Sequence, residues 1–383
     1  MIPINSFPAW SPRFTLTPAI ARGLMQIEAA RALVDLTPLS PAAKAELRAR
    51  ARVRAAHFST FIEGNRLTLE EARQVIADER AEIAGRERDV SEVRNYWNAL
   101  LRVEEWAEMM LPLTETLICR FHRLSMTGKS SRPTPLRKRQ NAIRDAFDGY
   151  LVYLPPRPED LPELIAALEI WAEEAWSKGL PAPLLAGLVH YQLATIHPFN
   201  DGNGRTARLC TDFILHRGGY GLKGLLSLEE QHAQDLRRYY QALNVHSSYD
   251  YYEGRAEADL TSWLEYFVST LAESFEIVLL ETAKYMKERA QEEPEDLRRL
   301  DHRARVVLGL FAKKETITAP EVAEELDLSE RMARNLLKDW VKDGWLEVSN
   351  PSRSARAYSL SAKYRQYIGS LSAMPPGGEK NEQ

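Results

Sequence analysis

The chain has only two cysteines, Cys119 and Cys210, among its 383 residues. Two cysteines exclude a disulfide-stabilised scaffold and any zinc site built from four cysteines, and they suit a reducing compartment. The first ten residues lack the basic cluster followed by an apolar run that marks a secretory signal. No stretch approaches the roughly 18 apolar residues of a membrane-spanning helix. We therefore expect a cytoplasmic protein with no membrane partner.

An excess of one charge is also missing. The 50 Lys and Arg residues nearly balance the 54 Asp and Glu residues, which leaves a net charge of −4 at pH 7. This balance excludes a protein that coats a polyanion with its whole surface, although it does not exclude a local basic face. Apolar residues make up 44% of the chain. At this length they predict more than one hydrophobic core, and so two or three domains.

Apolar residues recur at helical spacing along most of the chain, which predicts a mainly α fold. The segments with this spacing are residues 20–33, 47–62, 93–109, 161–176, 184–196, 206–215 and 260–286. One region differs, because residues 128–136 are rich in Gly, Pro, Ser and Thr. Ile143, a turn at Asp148-Gly149 and the apolar run 150–154 follow it, and this order predicts a short β-hairpin.

The last part of the chain has its own pattern, after the sequence QEEPED near residues 291–294 interrupts a long charged helix. Two short helices are predicted over residues 318–326 and 330–342. Two strands are predicted over residues 345–349 and 356–360, on either side of a polar loop at 350–355. This order is typical of a winged helix-turn-helix domain.

We therefore divide the chain into four parts. They are an N-terminal helical region over residues 1–89, a second helical domain with the hairpin over 90–290, the winged-helix domain over 295–368, and a polar tail over 369–383. The composition of the tail predicts disorder.

Residues 197–208, with the sequence HPFNDGNGRTAR, carry the most chemistry. Gly202 and Gly204 allow the backbone amides to turn inward as an anion-binding nest. A helix expected to begin at about Gly204 adds free N–H groups and a favourable dipole for phosphate. Arg205 and Arg208 are three residues apart, so they share a helical face and can both bind phosphate oxygens.

Two further residues of this segment extend the pattern. Asp201 offers one carboxylate, which suits Mg²⁺ when phosphates supply other ligands. His197 stands at the end of a helix, where a neutral imidazole can accept a proton from a hydroxyl group. Each residue alone is more often structural, but together within twelve residues they predict phosphate transfer. The chain has no Walker lysine loop, so a P-loop enzyme is excluded.

This segment resembles the motif of the Fic family, H-x-F-x-[D/E]-G-N-G-R-x-x-R, at every defined position. The resemblance extends over roughly residues 90–250 and includes the hairpin, which that family calls the flap. It implies a helical Fic core that transfers AMP from ATP to a Ser, Thr or Tyr hydroxyl of a target protein, or of the enzyme itself.

The resemblance also implies a role for each matching residue. The roles are proton acceptor for His197, core anchor of the loop for Phe199, Mg²⁺ ligand for Asp201, anion hole for Gly202, Asn203 and Gly204, α- and β-phosphate binding for Arg205, and γ-phosphate binding for Arg208. Two ligands follow from these roles, ATP and Mg²⁺.

A second resemblance concerns residues 59–64, STFIEG, which look like the inhibitory motif [S/T]-x-x-x-E-[G/N] of the same family. Ser59 and Glu63 are four residues apart and share a helical face, and Gly64 can end that helix. Because the motif precedes the Fic core, the chain resembles the N-terminally inhibited class, in which Glu63 would pair with Arg208 and keep ATP unproductive. A second hypothesis is that Glu63 orients water to remove AMP from a modified target.

The C-terminal segment leaves two interpretations open. Arg331, Arg334 and Lys338 lie on its second helix, and Arg353 and Arg356 flank the loop, positions that suit DNA. Residues 296–365 hold 14 basic and 11 acidic residues, a weak net charge of +3. A winged helix used for dimerisation or for substrate docking explains the same positions.

Our leading hypothesis is an autoinhibited protein adenylyltransferase with an attached winged helix, and homodimerisation is compatible with it. One alternative is a DNA-binding transcriptional regulator whose Fic core is a sensor or only weakly active. Another is an enzyme that uses a different donor, such as another nucleotide or a phosphocholine carrier. The second arginine, Arg208, favours a triphosphate.

Overall fold

The computed structural model describes residues 10–39, 41–78, 80–128, 132–144, 149–292, 296, 299–312, 314–352 and 356–365. These residues form two compact units. The first unit holds the described residues up to Thr37 together with Leu47–Thr282, and the second holds Pro38–Glu46 and the described residues from Ala283 onward. The boundary predicted at residues 89 and 90 lies inside the first unit, and the division into an N-terminal region and a Fic domain stays a prediction.

The first unit is built mainly from helices. They are α1 (Pro18–Leu36), α2 (Pro41–Ile62), α3 (Leu69–Ala77), α4 (Glu87–Glu108), α5 (Glu115–Thr127), α6 (Leu161–Ser177), α7 (Ala182–Ile196), α8 (Asn203–Arg217), α9 (Leu228–Gln234), α10 (Leu236–Leu243) and α11 (Thr261–Glu292). The start of α2, up to Glu46, and the end of α11, from Ala283, are assigned to the second unit. Each helix predicted from apolar spacing is present, with its ends shifted by a few residues, so the mainly α prediction is confirmed.

Helix α5 was not predicted, although Leu117, Phe121 and Leu124 have helical spacing. Its buried face also carries the polar residues His122 and Ser125, which weaken the apolar pattern. The helix begins where the Thr114 side chain accepts a hydrogen bond from an amide of the first turn, and it ends at a glycine in the left-handed conformation. The two polar residues on its buried face therefore need partners inside the protein.

The centre of the first unit is the pair α7 and α8. Helix α7 is apolar on nearly all sides and almost completely buried. Helix α8 packs against α7, α4 and α5, so the loop of residues 197–202 between α7 and α8 is held at the core. In the described part of the chain, no helix has both the length and the apolar character that a membrane crossing requires.

The predicted hairpin consists of β1 (Ile143–Arg144) and β2 (Leu151–Tyr153), which pair antiparallel with Ile143 opposite Tyr153. The Tyr153 hydroxyl donates a hydrogen bond to the Thr195 carbonyl of α7 at 2.8 Å. This bond attaches the hairpin, called the flap below, to the helix that leads into the 197–202 loop. Asp148 of the predicted turn lies outside the described residues.

The second unit combines short helices with a three-stranded antiparallel sheet. Its helices are His302–Leu308, Ala319–Glu325, Glu330–Lys342 and Ala362–Arg365, and its strands are β3 (Ile317–Thr318), β4 (Leu346–Asn350) and β5 (Ala357–Leu360), in the order β3-β5-β4. Trp340 and Trp345 pack in its core with ring centroids 5.2 Å apart. Residues 353–355 of the predicted wing and all of the predicted tail lie outside the described residues.

We expect Trp263→Ala to lower the free energy of unfolding by about 3–5 kcal/mol, because the indole is completely buried and its removal leaves a cavity. The indole Nε1 also donates a hydrogen bond to the Gly187 carbonyl of α7 at 2.7 Å. Urea denaturation followed by circular dichroism measures the change. Met25→Ala, at a side chain 74% exposed on α1, is the control and should change stability by no more than about 0.5 kcal/mol. Equal effects of the two substitutions would contradict this account of the core.

Candidate active site

His197 terminates α7 in a left-handed conformation, with φ 52° and ψ 57°. Its Nδ1 lies 3.2 Å from the Ala194 carbonyl oxygen. A carbonyl oxygen only accepts, so Nδ1 carries the proton and Nε2 is left as the proton acceptor. Burial lowers the pKa of His197, while the Ala194 carbonyl and the Glu63 carboxylate act in the opposite direction. The ring is therefore arranged as a neutral base.

The loop after His197 is closed by its own side chains and by α5. The Phe199 ring is buried and stacks on the imidazole of His122, with ring centroids 3.9 Å apart. His122 Nε2 donates a hydrogen bond to the Asp201 carbonyl at 2.8 Å. The Asn203 side chain accepts from the Phe199 N–H and donates to the Phe199 carbonyl, each at 2.8 Å. The side chain of Asn203 thus holds the loop, and its backbone N–H is what remains for the predicted anion hole.

The N-terminus of α8 follows directly. Gly202 precedes the helix in a left-handed conformation, with φ 74°, and a Cβ there would lie 2.6 Å from the Met126 sulfur. A residue with a side chain would therefore have a strained backbone there, and the Met126 side chain would have to shift. The first backbone N–H groups of a helix have no partner within it, and the helix dipole favours a negative charge beside them. This end of α8 is suited to an anion.

Arg205 lies in the first turn of α8, and its side chain is 1% exposed. Its Nε and Nη1 have no hydrogen-bond partner among the described residues. The nearest carboxylate oxygens belong to Glu92 and Asp201, at 3.8 and 3.9 Å from its two terminal nitrogens. Leaving buried donors unpaired costs free energy, so this guanidinium fits a ligand with several acceptor oxygens, such as a phosphate.

Asp201 differs from its neighbours because its side chain is 60% exposed. One of its oxygens accepts the Gly202 N–H at 2.6 Å. No group of three His, Cys, Asp or Glu side chains within the described ranges is arranged to hold a metal. A single accessible carboxylate nevertheless fits Mg²⁺ that receives its other ligands from phosphates and water.

Two of the three residues of the predicted inhibitory motif, Ser59 and Glu63, contact Arg208. The buried guanidinium of Arg208 donates to the Ser59 hydroxyl at 2.8 Å, to the Ser59 carbonyl at 2.9 Å and to the Glu63 carboxylate at 2.8 Å. Gly64 follows in a left-handed conformation with φ 92°. Burial opposes the charge of Arg208, but the Glu63 carboxylate raises its pKa overall.

The Glu63 carboxylate also lies against the first turn of α8. A Cβ placed on Gly204 would collide with Glu63 Oε1, so only glycine permits this approach. The same carboxylate therefore contacts the anion-binding end of the helix and the second motif arginine.

Three residues at the site were given no role by the sequence: His122, Arg137 and Asn141. Arg137 Nε donates to the His197 carbonyl at 2.9 Å, and Asn141 Nδ2 donates to the Phe199 carbonyl at 3.1 Å. They lie roughly sixty or more residues before the loop that they contact. No spacing or charge pattern in the sequence distinguishes them from polar residues that face water.

Residues 112–215 match the model of the Fic/DOC family. The chain is 29% identical over 200 residues to "Protein adenylyltransferase Fic" of Drosophila willistoni, which covers 52% of this chain and 39% of that protein. It is 32% identical over 165 residues to the protein of the same name from Drosophila virilis, which covers 43% of this chain and 33% of that protein. The chain thus spans about two-fifths or less of the length of these curated relatives.

Solved structures with the same fold exist. A Fic family protein from Desulfovibrio desulfuricans superposes with a TM-score of 0.56 and 24% identity, over 92% of this chain and 99% of that one. A Fic domain containing signaling protein from Bacteroides thetaiotaomicron gives a TM-score of 0.57 and 25% identity, over 70% of this chain and 98% of that one. The chain therefore has a Fic-type helical fold.

We expect His197 to titrate with a midpoint below the usual value of about 6.5, because burial disfavours the imidazolium. Glu63→Gln should lower the midpoint further, since it removes a negative charge that stabilises the imidazolium. NMR of the ¹⁵N-labelled imidazoles measures both midpoints, and loss of one signal in His197→Gln assigns the ring. Glu82→Gln, at an exposed loop position, is the control and should leave the midpoint unchanged. A midpoint at or above 6.5 would contradict the proposed protonation state.

Proposed function

We propose that this protein transfers AMP from ATP to a hydroxyl group of a protein target or of itself, and that its own Glu63 restrains the reaction. The observation that carries the proposal is the buried N-terminal end of α8. There Arg205 has unpaired donors, and Arg208 is bonded to a carboxylate. Similarity to proteins named protein adenylyltransferase Fic supports ATP as the donor and a protein as the acceptor.

His197 supplies the proton acceptor in this proposal. Its Nε2 takes the proton of the target hydroxyl while the hydroxyl oxygen forms a bond to the α-phosphorus of ATP. The bond between that phosphorus and the bridging oxygen of pyrophosphate breaks, so pyrophosphate leaves with the electron pair. The Nδ1 contact to Ala194 keeps the ring in the required tautomer, and the lowered pKa keeps it neutral at physiological pH.

The first turn of α8 and the two arginines hold the triphosphate in this proposal. The backbone N–H groups after Gly202 that have no partner within the helix would bind the phosphates, and the buried Arg205 would supply charged donors beside them. Asp201 would hold Mg²⁺, which when bound neutralises charge on the phosphates. The chain's own residues thus provide positioning and charge stabilisation, together with the general base.

Glu63 acts as the brake in this proposal. Its carboxylate bonds to Arg208 and lies against the first turn of α8, two places that favour a phosphate. A carboxylate and a phosphate repel each other and compete for the same donors, so ATP cannot be held fully while Glu63 stays bound. Ser59 keeps Arg208 oriented toward the brake through two further bonds.

Glu63→Gly should raise incorporation of labelled AMP into protein by at least about tenfold, because a close charge pair of this kind is worth about 1.5 kcal/mol or more. Incorporation is measured with ATP and Mg²⁺, by mass spectrometry of the protein itself and of added lysate. His197→Ala in the Glu63→Gly background should abolish it. Glu82→Gly, which removes a carboxylate at an exposed loop position, is the matched control and should resemble the wild type.

Equal incorporation in wild type and Glu63→Gly would contradict the brake. The second hypothesis for Glu63, removal of AMP from a modified target, gives a different result. Modified protein prepared with Glu63→Gly would then lose AMP when wild type is added, but not when fresh Glu63→Gly protein is added.

We propose a second function for the C-terminal unit, which is that it forms a winged helix that binds DNA. In its favour, Arg331, Arg334 and Lys338 are all exposed on one side of the helix Glu330–Lys342. This helix follows Ala319–Glu325 after a short turn and precedes the antiparallel strands β4 and β5. A basic second helix in that position suits contacts with phosphates and a groove.

Replacing Arg331, Arg334 and Lys338 by alanine together should weaken binding of duplex DNA and reduce the slope of log K against log salt by about 2–3, roughly 0.9 per phosphate contact. Gel shifts at low and high salt measure both effects. The matched control replaces the same number of positive charges elsewhere in the unit, at Arg303, Lys314 and Lys363. Equal losses from both triple variants, or no salt-sensitive binding by the wild type, would contradict DNA binding. Concentration-dependent dimerisation without DNA binding would favour the use of this unit as a contact between copies.

A further inference from the structure

Arg137 is a buried guanidinium with no ion pair among the residues that the structure describes. Arg137 is 3% exposed, and burial lowers the pKa of its guanidinium. Arginine is almost never buried to this extent unless a carboxylate compensates its charge. The compensation here comes from carbonyl oxygens. Nε donates to His197 at 2.9 Å, Nη1 to Arg139 at 3.2 Å, and Nη2 to Pro156.

These carbonyls belong to three different segments. His197 ends α7, Arg139 precedes β1, and Pro156 follows β2. The backbone N–H of Arg137 adds a bond to the Pro198 carbonyl at 2.9 Å. One side chain therefore connects both ends of the flap to the start of the 197–202 loop.

Neighbouring residues repeat the connection on a smaller scale. Gln140 Nε2 donates to the Pro155 carbonyl at 2.8 Å, and Asn141 Nδ2 donates to the Phe199 carbonyl at 3.1 Å. Of the three residues, the charged Arg137 alone bonds both to the segment that follows β2 and to the start of the 197–202 loop. A neutral substitution there should loosen both segments together.

The connection matters because of the backbone of His197. A left-handed conformation is unfavourable for a residue with a Cβ, so contacts from outside must hold it. The His197 N–H bonds to the Leu193 carbonyl at 3.0 Å, and the His197 carbonyl receives the Arg137 bond. Arg137 thus fixes the peptide plane that follows the proposed base.

We infer that Arg137 is a positioning residue that joins the flap to the backbone of His197, so that the surface beside the flap and the proton acceptor keep one relative position. The catalytic part of this inference rests on the proposed AMP transfer. The hydrogen-bonded connection between the flap and His197, called the joint below, is a property of the fold. The side-chain hydrogen bonds of Arg137 end on backbone carbonyl oxygens of His197, Arg139 and Pro156, and on none of the groups assigned to phosphate binding.

Arg137→Met, made in the Glu63→Gly background, should lower kcat for AMP transfer by about 100-fold, which is the effect of misplacing a catalytic group by about 1 Å. ATP affinity, measured by calorimetry, should change by less than about threefold. Arg137→Lys keeps the charge and can still donate to these carbonyls, so it should recover part of kcat. Arg139→Met removes a neighbouring charge from an exposed side chain and is the matched control, with kcat unchanged.

The pH profile gives a second readout. The groups whose charge acts on His197 are Arg137, Glu63 and Asp201, and Arg137 lowers its pKa while the carboxylates raise it. In the Glu63→Gly background, Arg137→Met should therefore move the acid limb of kcat to higher pH, whereas Arg137→Lys and Arg139→Met should leave it in place. A residue that only stabilised the fold would lower kcat without moving this limb.

Hydrogen–deuterium exchange tests the joint without any activity. Arg137→Met should increase exchange in residues 149–156 and in residues 197–203 together, and Arg139→Met in neither. Exchange that stays unchanged in either segment would overturn the inference, even if kcat falls. If Glu63→Gly protein transfers no AMP, the proposed function fails. The exchange result still decides whether Arg137 connects the flap to the 197–202 loop. If Arg137→Met does not fold, Arg137→Lys must show the same paired increase in smaller measure.

Discussion

The positive end of α8 lies inside the first unit, and most of the site is arranged around that constraint. A helix N-terminus already favours a negative charge, and here Arg205 and Arg208 add two buried guanidiniums within its first two turns. Burying this much positive charge is costly unless acceptors compensate it. The compensation is unequal, since Arg208 bonds to Ser59 and Glu63 while two nitrogens of Arg205 have no hydrogen-bond partner among the described residues. The position beside Arg208 is thus filled by the protein's own side chains, whereas the position beside Arg205 is suited to a ligand.

The loop before α8 is held from outside as well as from within. Asn203 binds it through Phe199, α5 binds it through His122, and the segment before the flap binds it through Arg137 and Asn141. Several of these bonds end on carbonyl oxygens of consecutive residues, so the loop has little freedom to change its path. A rigid loop keeps His197 in an unfavourable backbone conformation and keeps its ring in one tautomer. The His197 ring and the N-terminal end of α8 are therefore parts of one arrangement.

Most of the fold and the motif could be predicted because their signals are local. Apolar spacing located the long helices, and the flap strands followed from the loop-rich region around residue 136. The exception is α5, which was not predicted and which carries the polar residues His122 and Ser125 on its buried face. The hydrogen bonds of the Asn203 side chain to Phe199 were likewise not predicted from the sequence. Polar residues that form hydrogen bonds inside the protein give no periodic pattern in the sequence.

The sequence by itself determined the twelve-residue loop and helix start, the carboxylate four residues after Ser59, and the glycines that these turns require. These features depend on spacings of a few residues, which covalent geometry converts directly into shape. The resemblance implied the pair of Glu63 and Arg208, 145 residues apart, but only the tertiary structure brings the two side chains together. The tertiary structure alone also decided that two nitrogens of Arg205 have no hydrogen-bond partner among the described residues, and that Arg137 joins the flap to His197 across 60 residues. Contacts over such separations depend on how whole helices pack. The packing determines which polar groups lie within hydrogen-bond distance of each buried charge.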